Sequence, residues 1–440
     1  MSMNQSLPSK FALRGDLLDF AADPGWSVEP GAAVRFRPDH WLLVEDGIIR
    51  GVHASDAAFD ASWTRIDHRG RLVLPGFIDT HVHAPQLDVI ASFGAELLDW
   101  LNTYTFPAEQ RYADAHEAQA GAERFCDALL AHGTTSAVVF PTVHKVSADA
   151  LLAAAHARGM RLIAGKVLMD RNAPTALLDT VDSAEADSRE LIERWHGRGR
   201  LAYAMTVRFA PTSTVAQMEM AGRLMREVPG LYMQTHVAEN RAEVAWVREL
   251  FPQARSYLDV YDRHGLLGPR SVLAHGIWLD DEDRALLART AAQIAHSPSS
   301  NLFLGSGLFA WRALEDAGAR VSVATDVGGG TSLSMIRTLA DAYKVQALQG
   351  VKLTAWKALY AATRGAALAL ALDHEIGSFE PGRMADVCVW DWARGPVGQR
   401  RLAVATGLHE KVFAWMTLAD ERHLVQAFVG GISRVRRDTS

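Results

Sequence analysis

The chain has 440 residues, 49% of them hydrophobic, with 51 acidic against 45 basic side chains and a formal charge of −6; that length supports one large domain, or a large domain with a small companion. There is no Lys/Arg block beyond the short run Arg434–Arg437, which argues against a nucleic-acid partner, and no apolar run approaches the roughly 20 residues of a membrane span. Two cysteines, Cys126 and Cys388, are too few for a disulfide framework or a cysteine zinc site and fit a reducing cytoplasm.

The opening MSMNQSLPSKFALRGDLL lacks a basic stretch followed by an apolar run, so a soluble, unexported protein is expected. From Lys10 to about Leu72, short extended runs (SKFALRG, AAVRFRP, HWLLVEDGIIRGV, RIDHRGRLVL) broken by Gly, Pro and Asp predict a small antiparallel β unit. The texture then changes to eight short, mostly apolar runs: RLVLPGFIDTHVH, TSAVVFP, MRLIAGKVLM, LAYAMTVRFAP, LYMQTHVAE, RSVLAHGI, AAQIAHSP and ARVSVATDV. Helical stretches separate them, such as DAHEAQAGAERFCDALLAHG, where Ala118, Ala122, Phe125 and Leu129 share one face, and TVAQMEMAGRLMREV. Eight strand and helix units in about 250 residues are the arithmetic of a (β/α)8 TIM-like barrel. After Ala371 strand-like pieces return (MADVCVWDW, HLVQAFVGG), so residues 1–72 and 373–440 are expected to form one small β-sandwich domain beside a barrel of residues 73–372.

Active sites of such barrels lie at the C-terminal ends of the strands. His81 and His83 end the first run on alternate residues, which point to one side of a strand, and Gln86 follows. Arg208 and Phe209 end the fourth run, His236 and Glu239 the fifth, His275 the sixth and Asp326 the eighth. Neutral imidazoles with a carboxylate are ligands for a borderline divalent cation, zinc or iron, in an open site that keeps a position for water. Each residue alone has a plainer explanation: an isolated H-x-H is usually two ordinary histidines, His236 fits a core, Asp326 fits a helix cap before GGGTS, Arg208 fits a structural ion pair and Phe209 fits a core. Their convergence on one barrel mouth favours a site. His296, in AHSPSSN, either lines the pocket or is structural, and His132 and His144 carry no assignment. Lys166, in AGKVLMD, has the residue type that can be carboxylated to bridge two metals, but its place inside the third run reads as buried and structural, which favours one ion over two.

The stretches PGFIDTHVHAPQ, LLDWLNTYTFPAE, HGTTS, GKVLMDRNAP, QTHVAENRAEV, SYLDVYDRHGLLGPRSVLAHGIWL, HSPSSNLFLGSGLF and ATDVGGGTSLSMIRTLADAYKVQAL, from Pro75 to about Leu372, resemble the amidohydrolase superfamily of metal-dependent hydrolases. TYTFPAE and LDVYDRHGLLG resemble its guanine deaminases in particular. The resemblance implies one Zn2+ per subunit, with Fe2+ as the alternative, on His81, His83, His236 and Asp326. It implies that Gln86, Arg208, Phe209, His236 and Glu239 bind the substrate, with Glu239 as proton shuttle and His275 beside the activated water; Asp326, touching metal and water together, is expected to accept the water's proton, so Glu239, His275 and Asp326 are the catalytic candidates. The implied reaction is hydrolysis of guanine to xanthine and ammonia by a cytoplasmic homodimer. The competing readings are a relative acting on another aminated heterocycle, such as a triazine or pterin, and a catalytically silent scaffold, which would be expected to lack ligands that are all present here. A cytidine-type zinc deaminase is disfavoured because H-x-E with P-C-x-x-C is absent.

Overall fold

The computed structural model describes residues 9–93 and 97–437; residues 1–8, where the opening segment starts, lie outside the described residues. In chain order the strands are β1 (Lys10–Phe20), β2 (Val34–Glu45), β3 (Ile48–His53), β4 (Thr64–Pro75), β5 (Phe77–His83), β6 (Thr134–Phe140), β7 (Arg161–Ala164), β8 (Val167–Leu168), β9 (Leu201–Val207), β10 (Tyr232–Val237), β11 (Ser271–His275), β12 (Gln293–His296), β13 (Arg320–Val323), β14 (Val387–Trp390), β15 (Leu424–Val429) and β16 (Ile432–Arg436). The two ends of the chain join in one sheet of order β16-β15-β14-β4-β1-β2-β3, antiparallel except for the parallel β1–β4 pair. This sheet curls over its apolar face: Phe11 on β1 stacks on Phe428 of β15, three strands away, at 5.5 Å, with Leu13, Leu17, Val73 and Val387 buried in the same cluster.

The second sheet is parallel, in the order β5-β6-β7-β9-β10-β11-β12-β13, with β8 pairing to β9. Its strands read as near-continuous apolar runs because both faces are covered: every residue of β6, TTSAVVF, is buried. Helices wrap the outside. The helix Ala115–Ala131 starts where Asp114 accepts from the backbone N–H of His116 and Glu117, both at 2.9 Å, and it buries the expected face of Ala118, Ala122, Phe125 and Leu129. The seam between β5 and β13 is made mostly just beyond the last strand: Asp326 N donates to His81 O at 2.9 Å and His83 N to Val327 O at 2.8 Å, while Thr80 Oγ1 meets Ser322 Oγ at 2.8 Å. Closure of the ring and placement of the first and last site residues are therefore one event.

Two expected strands are each two. RLVLPGFIDTHVH crosses from one sheet to the other at Gly76: Leu72–Pro75 pair with β14, and Phe77 pairs with Thr134 of β6. A Cβ at Gly76 would lie 2.2 Å from Thr135 Oγ1, so only glycine lets the chain pass. MRLIAGKVLM breaks at Gly165–Lys166 into β7 and β8. Between β14 and β15 the chain forms the helices Gly395–Ala403 and Leu408–Leu418, the second resting on the barrel helix Met335–Leu348 through the Tyr343–Phe413 ring pair at 4.8 Å. Among the described residues, no helix is long and apolar enough to cross a membrane.

Candidate active site

The ends of β5, β10 and β13 deliver four donor groups to one point. His83 Nε2 lies 3.2 Å from His81 Nε2 and 3.2 Å from His236 Nε2, and Asp326 Oδ1 lies 3.1 Å from His81 Nε2 and 3.4 Å from His83 Nε2. The ligand atoms of His81, His83, His236 and Asp326 all fall within 4.8 Å of one another. Ala238, His275 and Asp326 hold left-handed φ values of 47°, 72° and 50°. Such backbone persists in non-glycine residues only where the surroundings impose it, and here it turns the chain at or just past the strand ends.

Protonation in the cluster suits a cation. His236 Nδ1 donates to Arg208 O at 2.6 Å, which leaves a lone pair on Nε2. Burial pulls the His83 imidazole down to about 3 and holds His236 well below its ordinary value. Burial alone would raise the Asp326 carboxyl, but the neighbouring histidines, His81 foremost, outweigh it and hold it well below the carboxylate range. Neutral imidazoles at His83 and His236 beside an anionic Asp326 are donor states that a divalent metal requires. Nitrogen lone pairs 3.2 Å apart cannot all be satisfied by one another. A single ion at their centre satisfies all four groups, so the residues fit the metal.

Around the cluster, His275 Nε2 lies 3.4 Å from Glu239 Oε2 and 3.7 Å from Asp326 Oδ2, and its Nδ1 pairs with Asn301 Oδ1 at 2.8 Å. Ser306 Oγ donates to Glu239 Oε1 at 2.9 Å. Burial, with the charge of Asp326 adding to it, pushes the Glu239 carboxyl up to about 8. The cavity onto which His83, His236 and Asp326 open is also lined by Gln86, Arg208, Phe209, Glu239 and His275. Hydrogen-bond donors, an acid and a cluster of three imidazoles and a carboxylate that could hold a metal ion thus share one small space.

A family model described as the amidohydrolase family matches residues 72–432. The chain belongs to the amidohydrolase family. It is 45% identical over 423 residues to guanine deaminase of Escherichia coli (strain K12), covering 96% of this chain and 96% of that one. The solved structure of E. coli guanine deaminase matches with a TM-score of 0.94 at 44% identity, over 97% of this chain and 100% of the other. A crystal structure of guanine deaminase from C. acetobutylicum with bound guanine in the active site matches with a TM-score of 0.86 at 27% identity, over 97% and 100%.

In this amidohydrolase His81, His83, Gln86, Arg208, Phe209, His236, Glu239, His275 and Asp326 all reach the same cavity or the cluster of three imidazoles and a carboxylate beside it. His296 does not line that cavity: it is buried, stacked on Phe309 at 4.4 Å and edge-on to Trp311 at 5.8 Å. Lys166 is buried and ion-paired with Asp179, outside the cluster. Several neighbours escaped the strand-end reading. Asp79, fully buried, accepts from Thr325 N at 3.1 Å and His81 N at 3.3 Å and ties the first strand to the last. Glu243 accepts from Glu239 N at 3.0 Å and from Tyr257 Oη at 2.7 Å, and Trp100 lines the cavity beside it. Asn301, Ser306 and Glu109 stand behind His275, Glu239 and Arg208. The usable signal was their place in motifs already noticed: FIDTH, AENRAE, SSNLFLGS and FPAE.

Proposed function

We propose that this amidohydrolase deaminates guanine to xanthine and ammonia, with one zinc ion held by His81, His83, His236 and Asp326. The observation that carries the reading is the cluster of three imidazoles and a carboxylate opening onto a cavity walled by Glu239 and Arg208, in a chain 45% identical to a guanine deaminase along nearly its whole length. A borderline divalent ion supplies the Lewis acidity that makes water a competent nucleophile near neutral pH.

The chain's own groups do the rest. Asp326, kept anionic by the surrounding imidazoles, accepts a proton from the attacking water. Glu239, kept neutral by burial and held by Ser306, hands a proton to the ring nitrogen next to C2. His275, oriented by Asn301, stabilises the oxygen added at C2; the proton held by Asp326 passes to the amino nitrogen so that the C–N bond breaks and ammonia leaves, and the C2 hydroxyl proton returns to Glu239 as the carbonyl of xanthine forms. Arg208 and Gln86 donate to the purine edge and Phe209 packs against the ring. When adenine arrives those donors lose their partner, a mismatch that discriminates by roughly 10⁴-fold. The buried cysteines Cys126 and Cys388, neither in a disulfide, suit a reducing cytoplasm, and a homodimer is the assembly the family resemblance implies.

The test is ammonia release from purified protein offered guanine, adenine, an aminotriazine and an aminopterin. Guanine should be consumed fastest, with xanthine formed in equal amount to ammonia. A triazine or pterin turned over more efficiently than guanine would overturn the assignment.

A further inference from the structure

Behind Arg208 and Gln86 stands a carboxylate that the reaction above does not use. Glu109 is fully buried, and its oxygens are divided between those two residues: Oε2 accepts from Arg208 Nη1 at 2.6 Å, and Oε1 accepts from Gln86 Nε2 at 3.2 Å. Gln86 Oε1 in turn accepts from Gly328 N at 3.3 Å, so both ends of its amide are fixed. The Arg208 guanidinium lies over the Phe106 ring at 5.3 Å. Phe106 and Glu109 belong to no barrel strand; they sit on the helix Phe106–Gln110, which follows a π turn at Leu101–Thr105. Wide turns of that kind are frequent at functional sites.

A buried ion pair is poor evidence for stability, because desolvation offsets most of the attraction, so this one calls for another explanation. An arginine left without its carboxylate in a desolvated cavity would be a strong anion site. Guanine is neutral near neutral pH. Xanthine, with a second ring carbonyl to spread the charge left when a ring N–H dissociates, is the stronger acid and reaches its anion more easily.

We propose that Glu109 is a positioning and selectivity residue: by neutralising and aiming Arg208 and fixing the Gln86 amide, it makes a wall that accepts a neutral oxopurine and does not retain the acidic product. This rests on the reading of Arg208 and Gln86 as the residues that hold the purine. The pair supplies donors without a net charge, so discrimination between substrate and product is built into one buried contact.

The experiment compares xanthine inhibition, and xanthine binding by calorimetry, with the guanine KM at a pH where xanthine is partly ionised. Glu109→Gln conserves shape but removes the charge. The ratio of the xanthine inhibition constant to the guanine KM should fall at least fivefold, with kcat changed less than threefold and metal content unchanged. Guanine and xanthine affected alike, with the ratio moving less than fivefold, would overturn the proposal. Arg208→Gln carries the test if the first variant does not fold: the carboxylate left without its cation should weaken xanthine inhibition at least fivefold more than it raises the guanine KM, and equal changes would overturn the proposal. An Arg208→Gln variant whose guanine KM equals that of the unmodified protein would instead refute the placement of Arg208 at the purine.

Discussion

Replacing Glu239 with glutamine removes one transferable proton and little else. Ser306 Oγ donates to one carboxyl oxygen at 2.9 Å and His275 Nε2 lies 3.4 Å from the other; a glutamine can keep its oxygen toward the serine and place its NH2 beside the histidine. Volume is conserved at a buried position, so the fold should hold. What disappears is an acid that burial, with the charge of Asp326 adding to it, pushes up to about 8. Positioned acids and bases contribute on the order of 10²–10⁴-fold, which at 1.36 kcal/mol per tenfold is about 2.7 to 5.4 kcal/mol of barrier. Ammonia release at saturating guanine should fall by that factor, with KM changed less than threefold. Metal analysis of the same sample should show the ion retained. A variant with more than a tenth of normal turnover and its metal in place would refute the role given to Glu239.

Asp79→Ala should lower metal affinity about 10–100-fold, because the buried carboxylate that orients the His81 backbone and joins it to Thr325 is gone; competition with a chromophoric chelator measures this, and unchanged affinity contradicts it. Lys166→Met leaves Asp179 without its cation and should cost about 3–5 kcal/mol in denaturant unfolding, with metal per chain unaltered; a lost equivalent of metal would show that Lys166 serves the ion instead. Burial, with Glu239 adding, raises Glu243 from 4.5 to about 7. The folded chain therefore binds more protons than the unfolded one between those values, and stability declines as pH rises through that window. Glu243→Gln removes that decline, so the excess of the parent Tm over the variant Tm should shrink from pH 4.5 to 7, and parallel curves would contradict it.

What was legible in the sequence follows from how a parallel barrel is built. Strands buried on both faces appear as short apolar runs, and the first polar residues after each run mark the mouth, so His81, His83, His236, His275 and Asp326 stood out. Glu109 did not, because it sits on a helical turn that owes its position to a π turn rather than to strand period. Asp79 was hidden inside an apolar run, as a buried carboxylate satisfied by backbone and threonine donors has no periodic signature. The crossing at Gly76 was obscured because a strand leaving one sheet and another entering the next read as one run, and only the approach of Thr135 reveals the reason for the glycine. His296 had the strand-end position of a site residue, but its ring turns between Phe309 and Trp311.

The central claim is that three imidazoles and one carboxylate hold a single ion on which the chemistry depends. Titrating zinc into chelator-stripped protein while following guanine consumption tests it most directly. Activity should start near zero, rise in proportion to added metal and level off at one ion per chain. Full turnover in the stripped protein, or a plateau reached only at two ions per chain, would contradict the account.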